Sequence, residues 1–128
     1  GLMKVRDLMS YPIVTVPPEA TVLEAVRKMG REKKGSLLVA RGGLLKECLG
    51  IVTTSLIFHS VFAEGRDPGR VSVSEIMTQG PLLTIDLNAS TEEAARMMRE
   101  HGIRRLPVMK EGALVGIITS KDLLACVK

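Results

Sequence analysis

A hydroxyl and a carboxylate stand three residues apart near the end of the chain, as Thr119 and Asp122. A carboxylate at this position, in the first turn of a predicted helix, can accept hydrogen bonds from both hydroxyls of a ribose. The free amides and the dipole at a helix start favour a phosphate, and the Thr119 hydroxyl can bond to ribose or phosphate. The alternative is that the two side chains cap their own helix, because Thr-Ser-Lys-Asp is also a capping-box sequence.

Arg104 and Arg105 stand side by side ahead of a predicted strand. Consecutive strand residues point to opposite faces, so both side chains can face one way only if the segment is still a loop. The forked guanidinium suits the recognition of a phosphate. The alternative is a solvated surface pair. The nearby His101 is expected to be an ordinary histidine at a helix end.

Catalytic and metal-binding patterns are missing from the sequence. Its two histidines, His59 and His101, belong to no recognisable pair of base and nucleophile. Its two cysteines, Cys48 and Cys126, have neither CxxC nor zinc spacing and are expected to be free thiols. No glycine-rich phosphate loop of the Walker or dinucleotide type is present. We therefore expect no enzymatic activity, no bound metal and no required cofactor.

Composition narrows the class of protein further. The chain has 128 residues, of which 45% are hydrophobic, and this is enough for a core and argues against wholesale disorder. Aromatic residues make up only 2%, which argues against a reader of single-stranded nucleic acid, and the net charge of +4 favours anionic ligands weakly. No apolar run approaches the roughly 20 residues of a membrane span. Without a recognisable signal peptide, the expected compartment is the cytoplasm, and we expect no membrane association.

The chain repeats itself. The matching segments are 5–9 with 73–77, 20–25 with 89–94, and 50–53 with 116–119. The offset is 69 in the middle of the repeat, between Thr15 and Thr84, and 66 at its end, between Gly50 and Gly116. The first copy therefore carries about three extra residues, in the loop 41–49.

Each copy predicts the same elements, in the order β–α–β–β–α. Both long helices begin with a hydroxyl followed three residues later by glutamate, a capping box, and methionines at helical spacing are expected in the core. Turns at Gly42-Gly43 and Glu111-Gly112 predict hairpins. The predicted segments are helices 21–32 and 90–101, extended segments 13–16 and 82–85, strands 36–40, 49–52, 106–109 and 114–118, and final helices from 53 or 54 and from 119 or 120.

The predicted domains are a first repeat at 3–64, a linker at 65–70 that is rich in glycine, proline and charge, and a second repeat at 71–128. About 60 residues per copy is too few for comfortable stability alone, so the two copies are expected to pack together. The expected fold class is α+β.

This order of elements, with Gly-Ile-Ile-Thr-Ser-Lys-Asp at 116–122 and Arg-Arg-Leu-Pro-Val at 104–108, resembles the CBS domain, named after cystathionine β-synthase. Two such domains in tandem form a Bateman module. The resemblance implies two β-α-β-β-α units packed through their sheets with pseudo-twofold symmetry. It also implies clefts between the units that bind AMP, ADP, ATP or S-adenosylmethionine, a regulatory role without catalysis, an unknown regulated protein as partner, and disc-shaped homodimers.

The resemblance also assigns roles to residues. It implies that Asp122 and Thr119 bind ribose, that Arg104 and Arg105 reach the phosphates, and that adenine lies against residues 10–14 and 34–35. Tyr11 would stack on the base, unless it is a turn or interface tyrosine. The candidate ligand-binding residues are Ser10, Tyr11, Pro12, Val14, Lys34, Gly35, Ile103, Arg104, Arg105, Ile117, Thr119 and Asp122.

The first copy departs from this pattern. Leu56 stands where the second copy has Asp122, and Gly35-Ser36 replace the two arginines, so the sequence predicts one good nucleotide site per chain. The cations around the end of the first helix either reach the phosphates or form a solvated basic face; they are Arg27, Arg31, Lys33 and Lys34.

Three functions follow as hypotheses. The first is a sensor or binding module for an adenosine-containing ligand, with AMP foremost and then ADP or ATP. The second is a ligand-silent oligomerisation or protein-interaction module, which the hydrophobic Leu56 leaves open. The third, nucleic-acid binding, is permitted by the charge but supported by no aromatic platform or recognition motif.

Overall fold

The computed structural model describes residues 3–42, 47–78 and 82–126, and it divides the chain into two compact units. We call residues 14–82 the N-terminal unit and residues 3–13 together with 83–126 the C-terminal unit. Within these described residues, no helix is long and apolar enough to cross a membrane.

The N-terminal unit is a three-stranded sheet with helices. Strand β1 (Thr15–Val16) runs parallel to β2 (Ser36–Arg41), and β2 pairs antiparallel with β3 (Glu47–Thr53). The helix α2 (Val22–Glu32) connects β1 to β2, and α3 (Thr54–Ile57) follows β3 and continues as a π-helical turn, Phe58–Phe62. The order β–α–β–β–α predicted from the sequence is confirmed.

The C-terminal unit repeats this topology. Strand β4 (Ile85–Asp86) is parallel to β5 (Arg105–Lys110), and β5 is antiparallel to β6 (Ala113–Thr119). The helix α5 (Thr91–His101) connects β4 to β5, and α6 (Ser120–Leu123) follows β6 and ends in a 3₁₀ turn, Leu124–Cys126. The expected α+β class with two alike repeats is therefore confirmed.

The long helices begin where their capping residues predict. Thr21 Oγ1 accepts from Glu24 N–H, Glu24 Oε2 accepts from Thr21 N–H, and Ser90 Oγ accepts from Glu93 N–H. These bonds satisfy amides that the first helical turn leaves open. Thr21 and Ser90 are confirmed as capping residues, and each helix starts one residue later than predicted, at Val22 and Thr91, because the capping residue stands just outside the helix.

Short loops differ in how well the sequence predicts them. Glu111 and Gly112 both have positive φ, 49° and 81°, and form a tight two-residue turn between β5 and β6. This is the backbone that a hairpin with a right-handed twist needs. The corresponding turn at Gly42-Gly43 lies partly outside the described residues. The first strands are shorter and start later than the predicted 13–16 and 82–85, because only Thr15–Val16 and Ile85–Asp86 find a partner strand.

Each unit has its own aliphatic core. In the N-terminal unit Met29 and Val39 are buried, and in the C-terminal unit Met98 and Val108 are buried in the equivalent places. The expectation that these methionines are core residues is confirmed.

A short leading helix stands at the start of each repeat, and it completes a hydrophobic core to which the sequence repeats do not assign it. The helix α1 (Val5–Leu8) belongs to the C-terminal unit, where Val5 is fully buried and its N–H donates to Ala89 O at 2.9 Å. The helix α4 (Val73–Ile76) belongs to the N-terminal unit, where Val73 N–H donates to Ala20 O at 2.8 Å. The start of each sequence repeat therefore folds onto the body of the other repeat.

Candidate functional site

Thr119 and Asp122 form both bonds of a capping box at the start of α6. Thr119 N–H donates to Asp122 Oδ2 at 2.9 Å, and Asp122 N–H donates to Thr119 Oγ1 at 3.2 Å. This is the geometry of the capping alternative. It uses one carboxylate oxygen and leaves the Thr119 hydroxyl proton free to donate, and a carboxylate offers about four acceptor sites in all. Capping and ribose binding are therefore compatible at this pair.

The same box changes the expected source of phosphate affinity. Two amides at the helix start already have partners, and α6 has only the four residues Ser120–Leu123, so few peptide dipoles are aligned there. The helix start therefore has little left to offer a phosphate, and any attraction for a phosphate here would come from positive side chains.

Arg105 is well placed to provide it. Arg105 is the first residue of β5 and pairs directly with Thr119 on β6, so their side chains share one face of the sheet with Cβ atoms about 5 Å apart. Arg104 precedes the strand and is exposed, and its carbonyl accepts from Ser120 N–H at 2.8 Å. Neither arginine forms an ion pair with a carboxylate in the part of the chain that the structure describes.

The segment around Ser10 is fixed beside the same strand. Ser10 N–H donates to Ile117 O at 2.9 Å, and Ile117 N–H donates to Ser10 O at 3.2 Å. Ile117 and Thr119 are two positions apart on β6 and face the same way. Tyr11, which follows Ser10, is 69% exposed, so its ring is open to a ligand.

A glycine makes this close approach possible. A Cβ at Gly116 would lie 2.9 Å from Ser10 O and 2.8 Å from Met9 Sδ, and real Cβ atoms do not come so close. Both sequence repeats contain a glycine at this position, but the sequence pattern does not indicate which segment of the chain packs against it.

Nine of the twelve candidate residues belong to the C-terminal unit, and the other three belong to the N-terminal unit. Ser10, Tyr11 and Pro12 join the C-terminal unit with Ile103, Arg104, Arg105, Ile117, Thr119 and Asp122. Val14, Lys34 and Gly35 belong to the N-terminal unit. There Gly35 O accepts from Thr54 N–H at 3.1 Å, Val14 O accepts from Leu38 N–H at 3.2 Å, and Lys34 borders an apolar groove.

The N-terminal unit has the same framework without the polar groups. Thr53 Oγ1 accepts from Leu56 N–H at 3.1 Å, as Thr119 Oγ1 does from Asp122 N–H. Leu56, however, has no carboxylate that could accept a hydrogen bond from Thr53 N–H. Thr78 replaces Ser10, with its N–H donating to Ile51 O at 3.0 Å and its Oγ1 accepting from Ile51 N–H at 3.0 Å. The repeated fold is thus present in both units, and the acidic and basic side chains are present in one.

Sequence reasoning missed an apolar groove in the N-terminal unit. The groove has a volume of about 510 Å³ and lies between α2 and the helical segment 54–62. Its apolar lining is Val26, Met29, Gly30, Ile57, Phe58 and Phe62. Both phenylalanines of the chain line it, at the four-residue spacing of a helix face, and this was the signal in the sequence that could have pointed to it.

Metal-binding side chains and the thiol of Cys48 were the remaining candidates for chemistry in the described part of the chain. Among the residues 3–42, 47–78 and 82–126, no three histidine, cysteine, aspartate or glutamate side chains are grouped as metal ligands. Cys48 is a free thiol, as the sequence predicts, and burial raises its pKa to about 11. It is therefore protonated and a poor nucleophile near neutral pH. The side chain of Cys126 lies outside the described part.

Known proteins resemble this chain along nearly its whole length. The CBS domain-containing protein YhcV of Bacillus subtilis (strain 168) is 37% identical over 122 residues, which are 95% of this chain and 84% of that protein. The hexameric CBS-CP12 protein from bloom-forming cyanobacteria has a TM-score of 0.85 at 33% identity. The superposed part is 96% of this chain and 67% of the CBS-CP12 chain.

A third structure shares the fold. The CBS domain pair of protein MJ0100, in complex with 5′-methylthioadenosine and S-adenosyl-L-methionine, has a TM-score of 0.83 at 23% identity, covering 98% of this chain and 96% of that one. At this identity the likeness concerns the fold alone.

The family model of the CBS domain matches the chain twice, at residues 5–62 and 73–128. The two matches lie within the two sequence repeats and contain both N-capping threonines, Thr53 and Thr119. The chain therefore belongs to the CBS domain family and carries two CBS domains in tandem.

Proposed function

We propose that this CBS pair is a regulatory module, without catalytic activity of its own, that binds an adenosine-containing ligand at the Asp122 face of the C-terminal unit. AMP is the foremost candidate, followed by ADP and ATP. The single observation that carries the proposal is that Thr119, which shares a capping box with Asp122, pairs with Arg105, an arginine without an ion-pair partner in the described chain.

The ribose is bound by the capping box itself. Asp122 Oδ2 accepts a hydrogen bond from Thr119 N–H. Its Oδ1 and the remaining lone pairs accept hydrogen bonds from the two ribose hydroxyls. Asp122 is half-buried, which strengthens a charge-assisted hydrogen bond relative to one in open water. Because the box already fixes the carboxylate, little side-chain freedom is lost on binding.

The phosphate is bound by Arg105, with Arg104 as a second cation. Arg105 is half-buried and shares a sheet face with Thr119, whereas Arg104 is exposed just before the strand. Two neighbouring guanidinium groups that form no ion pair with any described carboxylate favour a nucleotide over a nucleoside. This arrangement supports AMP over adenosine as the ligand.

The base lies against Ser10, Tyr11 and Pro12. The backbone N–H and carbonyl of Ser10 are occupied by Ile117. The adenine edge therefore pairs with the backbone groups of Tyr11 and with the Pro12 carbonyl, which have no backbone partner among the described residues. The exposed Tyr11 ring stacks on the base, and Ile117 provides an apolar surface.

The module also forms a homodimer and acts on a separate regulated protein. A second candidate function is an oligomerisation or protein-interaction module that binds no ligand. The observation that favours this alternative is the pair of exposed phenylalanines, Phe58 and Phe62, beside the apolar groove.

Thermal melting and titration calorimetry with adenosine, AMP, ADP, ATP and S-adenosylmethionine distinguish these functions. A ligand at 100 times its dissociation constant stabilises the folded state by about 2.7 kcal/mol, which is readily visible as a higher melting temperature. Asp122→Asn keeps an acceptor for Thr119 N–H but removes the charge, so it tests binding rather than capping. Asp86→Asn, at an exposed Asp that accepts from Asn88 N–H in the same unit, is the matched control. If no adenosine compound raises the melting temperature, the ligand-silent alternative stands.

A further inference from the structure

Residues 3–13, which we call the strap, are attached to the rest of the C-terminal unit at two separate places. At one end Val5 N–H donates to Ala89 O at 2.9 Å, and at the other end Ser10 N–H donates to Ile117 O at 2.9 Å. The helix α1 lies between these two attachment points and joins them through its own hydrogen bonds.

The N-terminal unit is closed in the same way by residues 71–78, which we call the counterpart segment. In the sequence repeat, Val73 corresponds to Val5 and Thr78 corresponds to Ser10. Both counterpart residues donate backbone hydrogen bonds to the body of their own unit, at 2.8 and 3.0 Å. The chain therefore contains two equivalent segments whose attachment can be compared position by position.

The strap is held by fewer buried side chains than the counterpart segment. Val5 is fully buried, but Met3 is 39% exposed and Leu8 is only half-buried. The counterpart segment buries the apolar side chains at all three corresponding positions, Val71, Val73 and Ile76. Because the burial of apolar surface is a main source of stability, the strap is attached more weakly than its counterpart.

Polar contacts differ in the same direction. Glu75 of the counterpart segment caps α4 and forms an ion pair with Arg66 at 3.0 Å, whereas the corresponding Asp7 caps α1 and forms no ion pair with any described cation. Thr78 closes its strand pair with its hydroxyl at 3.0 Å, and Ser10 closes its own pair with its carbonyl at 3.2 Å. An exposed ion pair adds little, so burial remains the larger difference.

The weaker of the two segments is the one beside the candidate ligand site. Ser10 pairs with Ile117 on β6, and Tyr11 follows Ser10 on the strap. Asp122 lies just beyond the end of the same strand. A ligand that contacts both Tyr11 and Asp122 loses part of its contacts when the strap opens. Because such a ligand binds the closed unit more tightly, it shifts the equilibrium towards closure.

We infer that the strap opens and closes on the C-terminal unit as one piece, and that a ligand at the Asp122 face locks it closed. The lock rests on the proposed function and specifies how the site regulates. Opening withdraws Val5 from the C-terminal core, so the unit without ligand exposes apolar surface that the occupied unit covers. Segments that move in regulation come from the least stable parts of a fold.

Amide hydrogen exchange of the full chain without ligand, followed by NMR, tests the strap. The amides to compare are Val5, Arg6 and Ser10 in the strap with Val73, Ser74 and Thr78 in the counterpart segment. After correction for intrinsic rates, the three strap amides should share one rate, about tenfold or more faster than that of the counterpart amides. Equal protection of the two segments, or three unrelated strap rates, overturns the inference.

Gly116→Ala shows whether the strap moves as one piece, because the new Cβ would clash with Ser10 O at one end of it. Exchange should become faster at Val5 by the same factor as at Ser10. Gly50→Ala makes the equivalent clash in the N-terminal unit and is the matched control, which should speed exchange at Val73 and not at Val5. Faster exchange at Ser10 alone contradicts a single piece, and the wild-type comparison depends on neither variant.

Saturating AMP tests the lock. It should slow exchange of the strap amides about tenfold or more in the wild type, and equally in Asp86→Asn, but not in Asp122→Asn. Unchanged strap exchange in a chain that binds AMP by calorimetry overturns the lock. If calorimetry shows no AMP binding, the proposed function fails and the lock fails with it, whereas the comparison without ligand still decides whether the strap opens.

Discussion

Ser10 and Ile117 exchange two backbone hydrogen bonds, at 2.9 and 3.2 Å, although they come from opposite ends of the chain. This pairing places the segment that follows Ser10 beside the strand that ends at Thr119. The start of the first repeat thereby becomes part of the second repeat's candidate site. A ligand held at Asp122 would also hold the beginning of the chain in place.

Replacing Gly116 with alanine tests this pairing. The new Cβ would lie 2.9 Å from Ser10 O, a backbone atom that cannot move without breaking the pairing. We expect Gly116→Ala to lower stability by about 1–3 kcal/mol and to weaken AMP binding as well. Thermal melting and AMP titration measure the two effects.

Gly50→Ala is the control, because it makes the equivalent clash with Thr78 O at 3.1 Å in the N-terminal unit. It should lower stability while leaving AMP affinity in the folded protein nearly unchanged. Equal losses of affinity in both variants would show that AMP binding does not depend on the Ser10 pairing.

Arg105→Ala should remove the preference for a phosphorylated ligand. Losing one charge-assisted contact to phosphate costs about 1.5 kcal/mol or more, so AMP affinity should fall about tenfold or more. Adenosine affinity should barely change. Calorimetry with both ligands measures the ratio of AMP affinity to adenosine affinity. Arg99→Ala, on the exposed end of α5, is the matched control. A parallel loss of both affinities would mean that Arg105 supports the fold and not the phosphate.

Leu56→Asp should give the N-terminal unit the missing carboxylate. Thr53 already accepts from residue 56 N–H, so an aspartate there is placed to complete the same capping box. Combined with Ser36→Arg, which is the counterpart of Arg105 and pairs with Thr53, it should raise the AMP stoichiometry from one to two per chain. Titration calorimetry reads the stoichiometry directly. A value still at one in a folded double variant contradicts the equivalence of the two frameworks.

Cys48 predicts a pH effect on stability. Burial raises the pKa of its thiol to about 11 in the folded chain, above the ordinary value of 9.0. Because the folded state holds the proton more tightly, this contribution to stability is intact below pH 9 and is lost as pH rises towards 11. Between pH 8 and 10.5, the wild type should lose more unfolding free energy than Cys48→Ala. Denaturant melts of the two proteins at several pH values check this, and parallel curves would contradict it.

The repeated elements could be predicted from the sequence because their determinants are local. Hydroxyl and glutamate three residues apart start both helices, and Glu111-Gly112 forms the turn that its sequence favours. The helix ends are less regular. Lys33 ends α2 in the left-handed conformation, with φ of 55°, at the position where Gly102 ends α5. A lysine does not predict this conformation, whereas a glycine does.

The exchange of leading helices could not be predicted, because it is a choice between two similar surfaces. The segments around Val5 and Val73 resemble each other, and so do the sheets that could receive them. The local sequence pattern is the same whether a leading helix packs on its own repeat or on the other one. Only the packing of the whole unit decides between these two arrangements. The expectation that Ser10 and Lys34 are walls of one site stays a prediction, because the two residues belong to different compact units.

The most direct test of the nucleotide proposal is AMP titration of the wild type and of Asp122→Asn under identical conditions. A single AMP per chain is expected for the wild type. The variant should stay folded and lose most of that affinity, because asparagine replaces a charged acceptor by a neutral one. If Asp122→Asn binds AMP as tightly as the wild type, the carboxylate serves only to cap α6 and the proposed site is wrong.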